Sequence, residues 1–288
     1  MATTRRTRVV ALGVASFLVF FGLSRLRRPS PDELPPSDAQ RVLEKALERV
    51  AKGGPNHLHM RRLYFYAPRF AEAEQANVHV VRAAALLHDA TKEDGRGEPK
   101  ERFCNHGAEG SEWAREVLPA LGKSRELTTR AADAIVQHMG PCGHNDAWGD
   151  DRFMTKFCHR AFPTPTTAEA RVLYDVDMLD LMTVDGVVKV VELRQKNPEF
   201  EREPLKDSAL TGRDSAWKSV NDANQTLLTA EAKRCGAELV GHTRRFLDGV
   251  DWQRVKDVPA FKATAHEYLE KAPLPSCLPG VPAGDDVD

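Results

Sequence analysis

From residue 37 onward, apolar side chains recur every three or four positions, with polar residues on the opposite face of each run. Val42, Leu43, Ala46, Leu47 and Val50 set this pattern for a first helix, and Ser37 and Gln40 stand at the spacing of a capping box. Gly53-Gly54-Pro55 ends that helix and opens a second, in which Pro68 predicts a kink. The same periodicity predicts further helices at about 78–89, 109–121, 124–138, 167–184, 186–196, 213–234, 236–249 and 258–271. Strand-like alternation is scarce and no internal repeat is visible, so the pattern predicts an all-α fold. Between the helices, residues from about 139 to 165 are irregular, with Gly140-Pro141 and Gly143, and the spacing suits a lid or substrate-selecting loop.

The first 36 residues break the pattern twice. Val9–Leu23 is an uncharged apolar run flanked by Arg5, Arg6 and Arg8 before it and by Arg25, Arg27 and Arg28 after it. It is shorter than the ~20 residues that span a bilayer and fits the core of a secretory signal. Small residues at a cleavage position are poorly placed, so residues 1–28 read as an uncleaved signal anchor, with a removed signal peptide as the alternative. Arginines on both sides leave the orientation in the membrane open. Pro29 to Pro36 reads as a stiff, extended linker (29–36). The tail 272–288 is rich in Pro, Gly and Asp and reads as disordered.

What remains, residues 37–271, is long enough for one large domain with a sizeable core. The net charge of -1 gives no global field for nucleic acid or for an anionic membrane surface, so specific nucleic-acid binding is not expected. The 5 cysteines are odd in number and lack metal-type spacing, which argues against a full disulfide framework and allows at most two pairs. Cys104 reads as a packing residue or free thiol, and Trp217 and Trp252 as core.

The chemistry lies in six residues of one ordered series: His59, His88, Asp89, His106, His138 and Asp177. Imidazole nitrogens with carboxylate oxygens suit Mn, Fe, Co, Ni or Zn better than Mg or Ca. No cysteine belongs to the set, which disfavours a structural zinc knot. The contexts are specific: Asn56-His57-Leu58-His59-Met60-Arg61-Arg62, the apolar run Val80–Leu87 delivering His88-Asp89-Ala90-Thr91-Lys92, His106-Gly107-Ala108-Glu109, and Tyr174-Asp175-Val176-Asp177-Met178-Leu179-Asp180. In this order the chain resembles the HD-domain superfamily of metal-dependent phosphohydrolases, whose ligands run H, HD, D. The resemblance implies that His59, His88, Asp89 and Asp177 hold one divalent ion on a helical bundle, its core about 50–185. It further implies that His106 and His138 serve a second ion, with Asp89 as the bridge. Val176-Asp177-Met178-Leu179 departs from the family's common Ala-Asp-Arg-Leu and loses its arginine.

Such a centre would make a coordinated water nucleophilic and cleave a phosphate mono- or diester of a nucleotide or other small phosphorylated metabolite. Asp89 is then the residue expected to hold metal and water, and Lys92 to contact phosphate. Glu93 or Asp94 would serve as proton donor or supporting carboxylate, and Arg62, with Arg61, as further anion contacts. His57, His144 and His159 lack the family context, and Asp175 reads as a supporting or surface acid. Mixed-valent diiron oxygenases of the same fold use the same six-ligand order and are the alternative, and a membrane-tethered, non-catalytic sensor or scaffold is a third reading. The absence of a Gly-Tyr-Pro signature disfavours a cyclic-di-GMP phosphodiesterase of the HD-GYP subfamily.

Overall fold

In the computed structural model the described residues are 29–92, 99–139, 158, 162–196, 217, 220–252, 255, 257–282 and 287. The chain divides into two units, Met1–Ser30 and Pro31–Asp288, and the account below concerns the second. The predicted anchor or signal at residues 1–28 lies outside the described residues. Among those described, no helix is long and apolar enough to cross a membrane.

Every regular element described is a helix: α1 (Pro36–Leu47), α2 (Pro55–Ala73), α3 (Val78–Leu87), α4 (Pro99–Ala120), α5 (Arg125–Gln137), α6 (Ala168–Met182), α7 (Val184–Lys196), α8 (Ala230–Gly249) and α9 (Val258–Lys271). The organising element is α3, whose sequence VHVVRAAALL buries Val80, Val81, Ala83, Ala84, Ala85, Leu86 and Leu87. A helix apolar on nearly every side must be surrounded, and α3 packs against α1, α2, α5 and α6. Its alanines carry little bulk, so neighbouring helices can approach closely. Asn77 caps its start, accepting from the backbone N–H groups of His79 and Val80. Ser124, Thr167, Thr229 and Asp257 do the same for α5, α6, α8 and α9. One continuous core results, running from Leu34 to Val287.

Several sequence expectations are corrected. The capping box at Ser37 and Gln40 does not form; Pro35 precedes α1 without a side-chain cap, and Gln40 instead accepts from the Val287 N–H. The stiff linker expected at 29–36 packs against the domain from Pro31 on, with Leu34 fully buried. Pro31 O accepts from Ser124 N, and Lys123 donates to Glu33 O. The break predicted near residue 235 falls at 227–229, because Thr229 caps α8 and Cys235-Gly236 lie inside it. The tail expected to be disordered is fastened where it is described: Cys277 is bonded to Cys235, Arg69 donates to Ser276 O, and Arg61 donates to Pro282 O.

The end of α6 meets the start of α7 without clearance. A Cβ on Gly186 would stand 2.0 Å from Asp180 O, so only glycine lets α7 begin there. The Thr183 hydroxyl donates to Asp180 O and accepts from Gly186 N, locking the corner. This corner sets the direction in which α7 carries its side chains back across the bundle.

Candidate metal centre

Each histidine of the series arrives from a different helix. His59 lies in the first turn of α2, His88 caps the C-terminus of α3 with Asp89 in the turn after it, His106 sits within α4, and His138 caps the C-terminus of α5. Asp177 comes from α6. All four imidazoles are buried, as is Asp89. The ligand atoms form three overlapping groups, His59 with His88 and Asp89, His88 with His138 and Asp177, and Asp89 with His106 and His138; within each, the atoms lie within 4.8 Å of one another.

The hydrogen bonds on the far side of each ring fix its tautomer. His88 Nδ1 faces Ala85 O at 3.0 Å, His106 Nδ1 faces Phe103 O, and His138 Nδ1 faces Ile135 O. A carbonyl oxygen only accepts, so each of these Nδ1 atoms carries the proton and donates. His59 Nδ1 meets Asp180 Oδ2 at 2.7 Å and donates to it in the same way. The Nε2 atoms of His88, His106 and His138 therefore present lone pairs to one small volume, and Nε2 of His59 faces the same volume. His106 Nε2 and His138 Nε2 stand 3.1 Å apart, and His59 Nε2 stands 3.1 Å from Asp177 Oδ1. His59 Nε2 and His88 Nε2 are buried without a hydrogen-bond partner.

Lone pairs packed against lone pairs and carboxylates repel unless a positive charge lies among them. Protonated imidazole does not supply it. Burial lowers the pKa of His88 to about 3, and burial also lowers those of His106 and His138. The donor set thus fits a divalent cation, and it is the set in which a metal-binding histidine donates its other N–H to a backbone carbonyl or carboxylate. His59, His88, Asp89, His106, His138 and Asp177 are the residues that could hold it. Asp89 belongs to two of the three groups, the position a bridging carboxylate requires. Burial would push the Asp89 carboxyl up, but Lys92, His88, Lys189 and His106 together hold it well below its usual range.

Two residues of this centre were not singled out in the sequence. Asp180 is fully buried and orients His59 while Arg62 grips it with two parallel bonds, Nε to Oδ1 at 2.6 Å and Nη2 to Oδ2 at 2.8 Å. Burial opposes its ionisation, yet Arg62 and His59 keep it charged, with its pKa lowered. Its signal was present as the acid one helical turn after Asp177. Lys189 on α7 lies 3.7 Å from Asp89 Oδ2, and burial brings its pKa down to about 8. A single lysine inside Val187-Val188-Lys189-Val190-Val191 was the signal for it.

The remaining expectations divide as follows. Lys92 reaches Asp89, with Nζ 3.0 Å from each carboxylate oxygen. Arg62 is corrected: its guanidinium is occupied by Asp180, so it serves His59 and is not presented as an anion contact. Arg61 is likewise buried, donating to Pro282 O. Asp175 is no surface acid; it is fully buried and accepts from the backbone N–H groups of Leu228 and Thr229, which fixes the approach to α8. Cys104 is bonded to Cys158 and is not a free thiol. His57 accepts from Gly53 N, away from the cluster. Glu93, Asp94, His144, His159 and most of the 139–165 loop lie outside the described residues.

An Asp180→Asn substitution leaves all six ligands in place but removes the charge that holds the His59 N–H and the Arg62 fork. Metal affinity is expected to fall about 10–100-fold, as read by competition with a chromophoric chelator. An affinity within twofold of the parent would show that packing alone orients His59.

Four imidazoles and two carboxylates, delivered by five helices to one buried volume, give an all-α domain with a cluster capable of holding a metal. Residues 57–182 match the HD domain family model, which supports placing this segment in the HD superfamily of metal-dependent phosphohydrolases. A crystal structure of a Lactobacillus plantarum protein is similar at 17% identity and a TM-score of 0.49, covering 78% of this chain and 100% of its own. Comparison with curated proteins finds no match.

Proposed function

We propose that this domain is a hydrolase of phosphate esters acting on a small phosphorylated metabolite or nucleotide. The observation that carries the reading is the convergence of four Nδ1-protonated histidines on Asp89 and Asp177, with the ammonium groups of Lys92 and Lys189 beside Asp89. One or two divalent ions held there would supply Lewis acidity and make a water ionisable near neutral pH. The chain's own part is positional. Asp89, fixed by two lysines, accepts a hydrogen bond from the attacking water and aims it. The lysines hold the phosphoryl oxygens, and burial of the imidazoles keeps bulk solvent from them. Water oxygen bonds to phosphorus, the ester P–O bond breaks, and the leaving alcohol takes up the proton that the water gives up.

The open side is marked by exposure. Asp177, Lys92 and Lys189 retain 15%, 21% and 12% side-chain exposure, while the side chains of His59, His88 and His106 retain 2% or less. A substrate would therefore meet the lysines and Asp177 first. The two disulfides, Cys104–Cys158 and Cys235–Cys277, support work in an oxidising compartment. The apolar N-terminal segment would then serve as membrane anchor or export signal for the domain.

The test uses the full chain purified in mild detergent without added metal. Elemental analysis and hydrolysis of p-nitrophenyl phosphate and bis(p-nitrophenyl) phosphate with Mn²⁺ are measured together. Near-stoichiometric metal and ester cleavage support the hydrolase. Two irons per chain with a mixed-valent EPR signal and no cleavage would replace it with the oxygenase, and a chain that binds no metal would leave the sensor or scaffold.

A further inference from the structure

The hydrolase reading does not say which phosphate ester enters. Two lysines from different helices converge on one carboxylate oxygen: Lys92 Nζ lies 3.0 Å and Lys189 Nζ 3.7 Å from Asp89 Oδ2. One carboxylate balances one ammonium group, so this pairing alone leaves a positive charge over. Asp177 is the other acid among the described ligands, while Asp180 is neutralised by Arg62. Two carboxylates thus face two ammonium groups, and the described cluster is neutral before any metal is bound. Two divalent ions with the hydroxide formed from their water would then leave it with three positive charges. A buried surplus of that size is costly unless an anion enters.

Resting on the hydrolase reading, we propose that the substrate is a phosphate monoester with a terminal, dianionic phosphate, and that Lys189 grips it together with Lys92. A diester cancels one of these charges, whereas a terminal phosphate cancels two. The exposure of the two lysines at the mouth puts both ammonium groups within reach of an entering phosphate. Lys189 lies beyond residues 57–182, so the family match does not include it. Its placement follows from the Gly186 corner, which turns α7 back toward Asp89. Once Asp89 binds metal, it no longer needs two lysines, and their ammonium groups are free to serve the phosphate.

Three measurements on the full, Mn²⁺-loaded chain test this: calorimetric binding of inorganic phosphate, steady-state hydrolysis of the mono- and diester, and metal content. Lys189→Ala is expected to weaken inorganic phosphate about tenfold to a hundredfold, the scale of a charge-assisted hydrogen bond. It should raise KM for the monoester more than for the diester, keep its metal, and be partly rescued in Lys189→Arg. Monoester turnover should exceed diester turnover in the parent chain. Unchanged phosphate affinity in Lys189→Ala, a preference for the diester, or loss of metal in both Lys189→Ala and Lys189→Met would overturn the proposal. Phosphate binding that depends on Lys189, without cleavage of either ester, would keep the anion site and remove the hydrolase.

Discussion

Asp89→Asn protein is expected to purify folded, to hold no stoichiometric metal, and to lose ester hydrolysis by about a thousandfold or more, because the water it aims returns to the acidity of bulk solvent. The substitution preserves shape and removes one charge, yet that charge has more partners than any other in the centre. Asp89 lies within reach of His59, His88, His106, Lys92 and Lys189 at distances from 3.0 to 3.9 Å. Without it, two lysines face the metal site with no anion between them, and divalent ions are repelled. The carboxamide can also turn its N–H₂ group toward the lone pair of His106, which competes with metal for that nitrogen. Elemental analysis and initial rates with p-nitrophenyl phosphate read both consequences, and circular dichroism checks the fold. Retained metal with a rate within tenfold of the parent would rule out Asp89 as the shared ligand.

How far this centre was legible in the sequence depends on how local each cue is. His88-Asp89 follows an unbroken apolar run, and His59, His106, His138 and Asp177 each sit in a context that one helix spells out, so the ligands could be picked without knowing how the helices cross. Helix α9 was legible to the residue for the same reason: its apolar positions repeat on their own, between Asp257 and Lys271. What pairs across the fold was not. Arg62 and Asp180 are separated by 118 positions, and only the packing of α2 on α6 turns a presumed anion contact into a support for His59. Lys189 was hidden because α7 must first turn at Gly186 before its lysine faces Asp89. Asp175 read as a supporting or surface acid, yet the start of α8 needs its two oxygens for otherwise unpaired N–H groups. Cysteine pairing likewise depends on Cα atoms brought to 5.5 and 5.4 Å by tertiary structure.

Replacing Cys235 and Cys277 together by alanine is expected to cost about 4 kcal/mol, the loop-closure entropy released when a crosslink of this span is cut. The residues are 42 positions apart, one inside α8 and the other in the segment after α9. The bond therefore closes a loop around all of α9, whose own buried contribution is small, Phe261 and Ala265. Without the crosslink, that helix and the following segment must be held by Phe261 against Phe246 and Trp252, by Tyr268 OH to His242 O, and by the arginine contacts to Ser276 and Pro282. For a domain of this size the loss corresponds to roughly 8–16 °C in Tm. Thermal melts should place the parent chain with excess dithiothreitol below the double variant, because reduction also cuts the Cys104–Cys158 bond. That second bond joins α4 only two residues before His106, so reduced parent chain should also lose metal more readily than the Cys235/Cys277 variant. A variant that melts within about 2 °C of the oxidised parent would place the hold on α9 in its side-chain contacts and not in the crosslink.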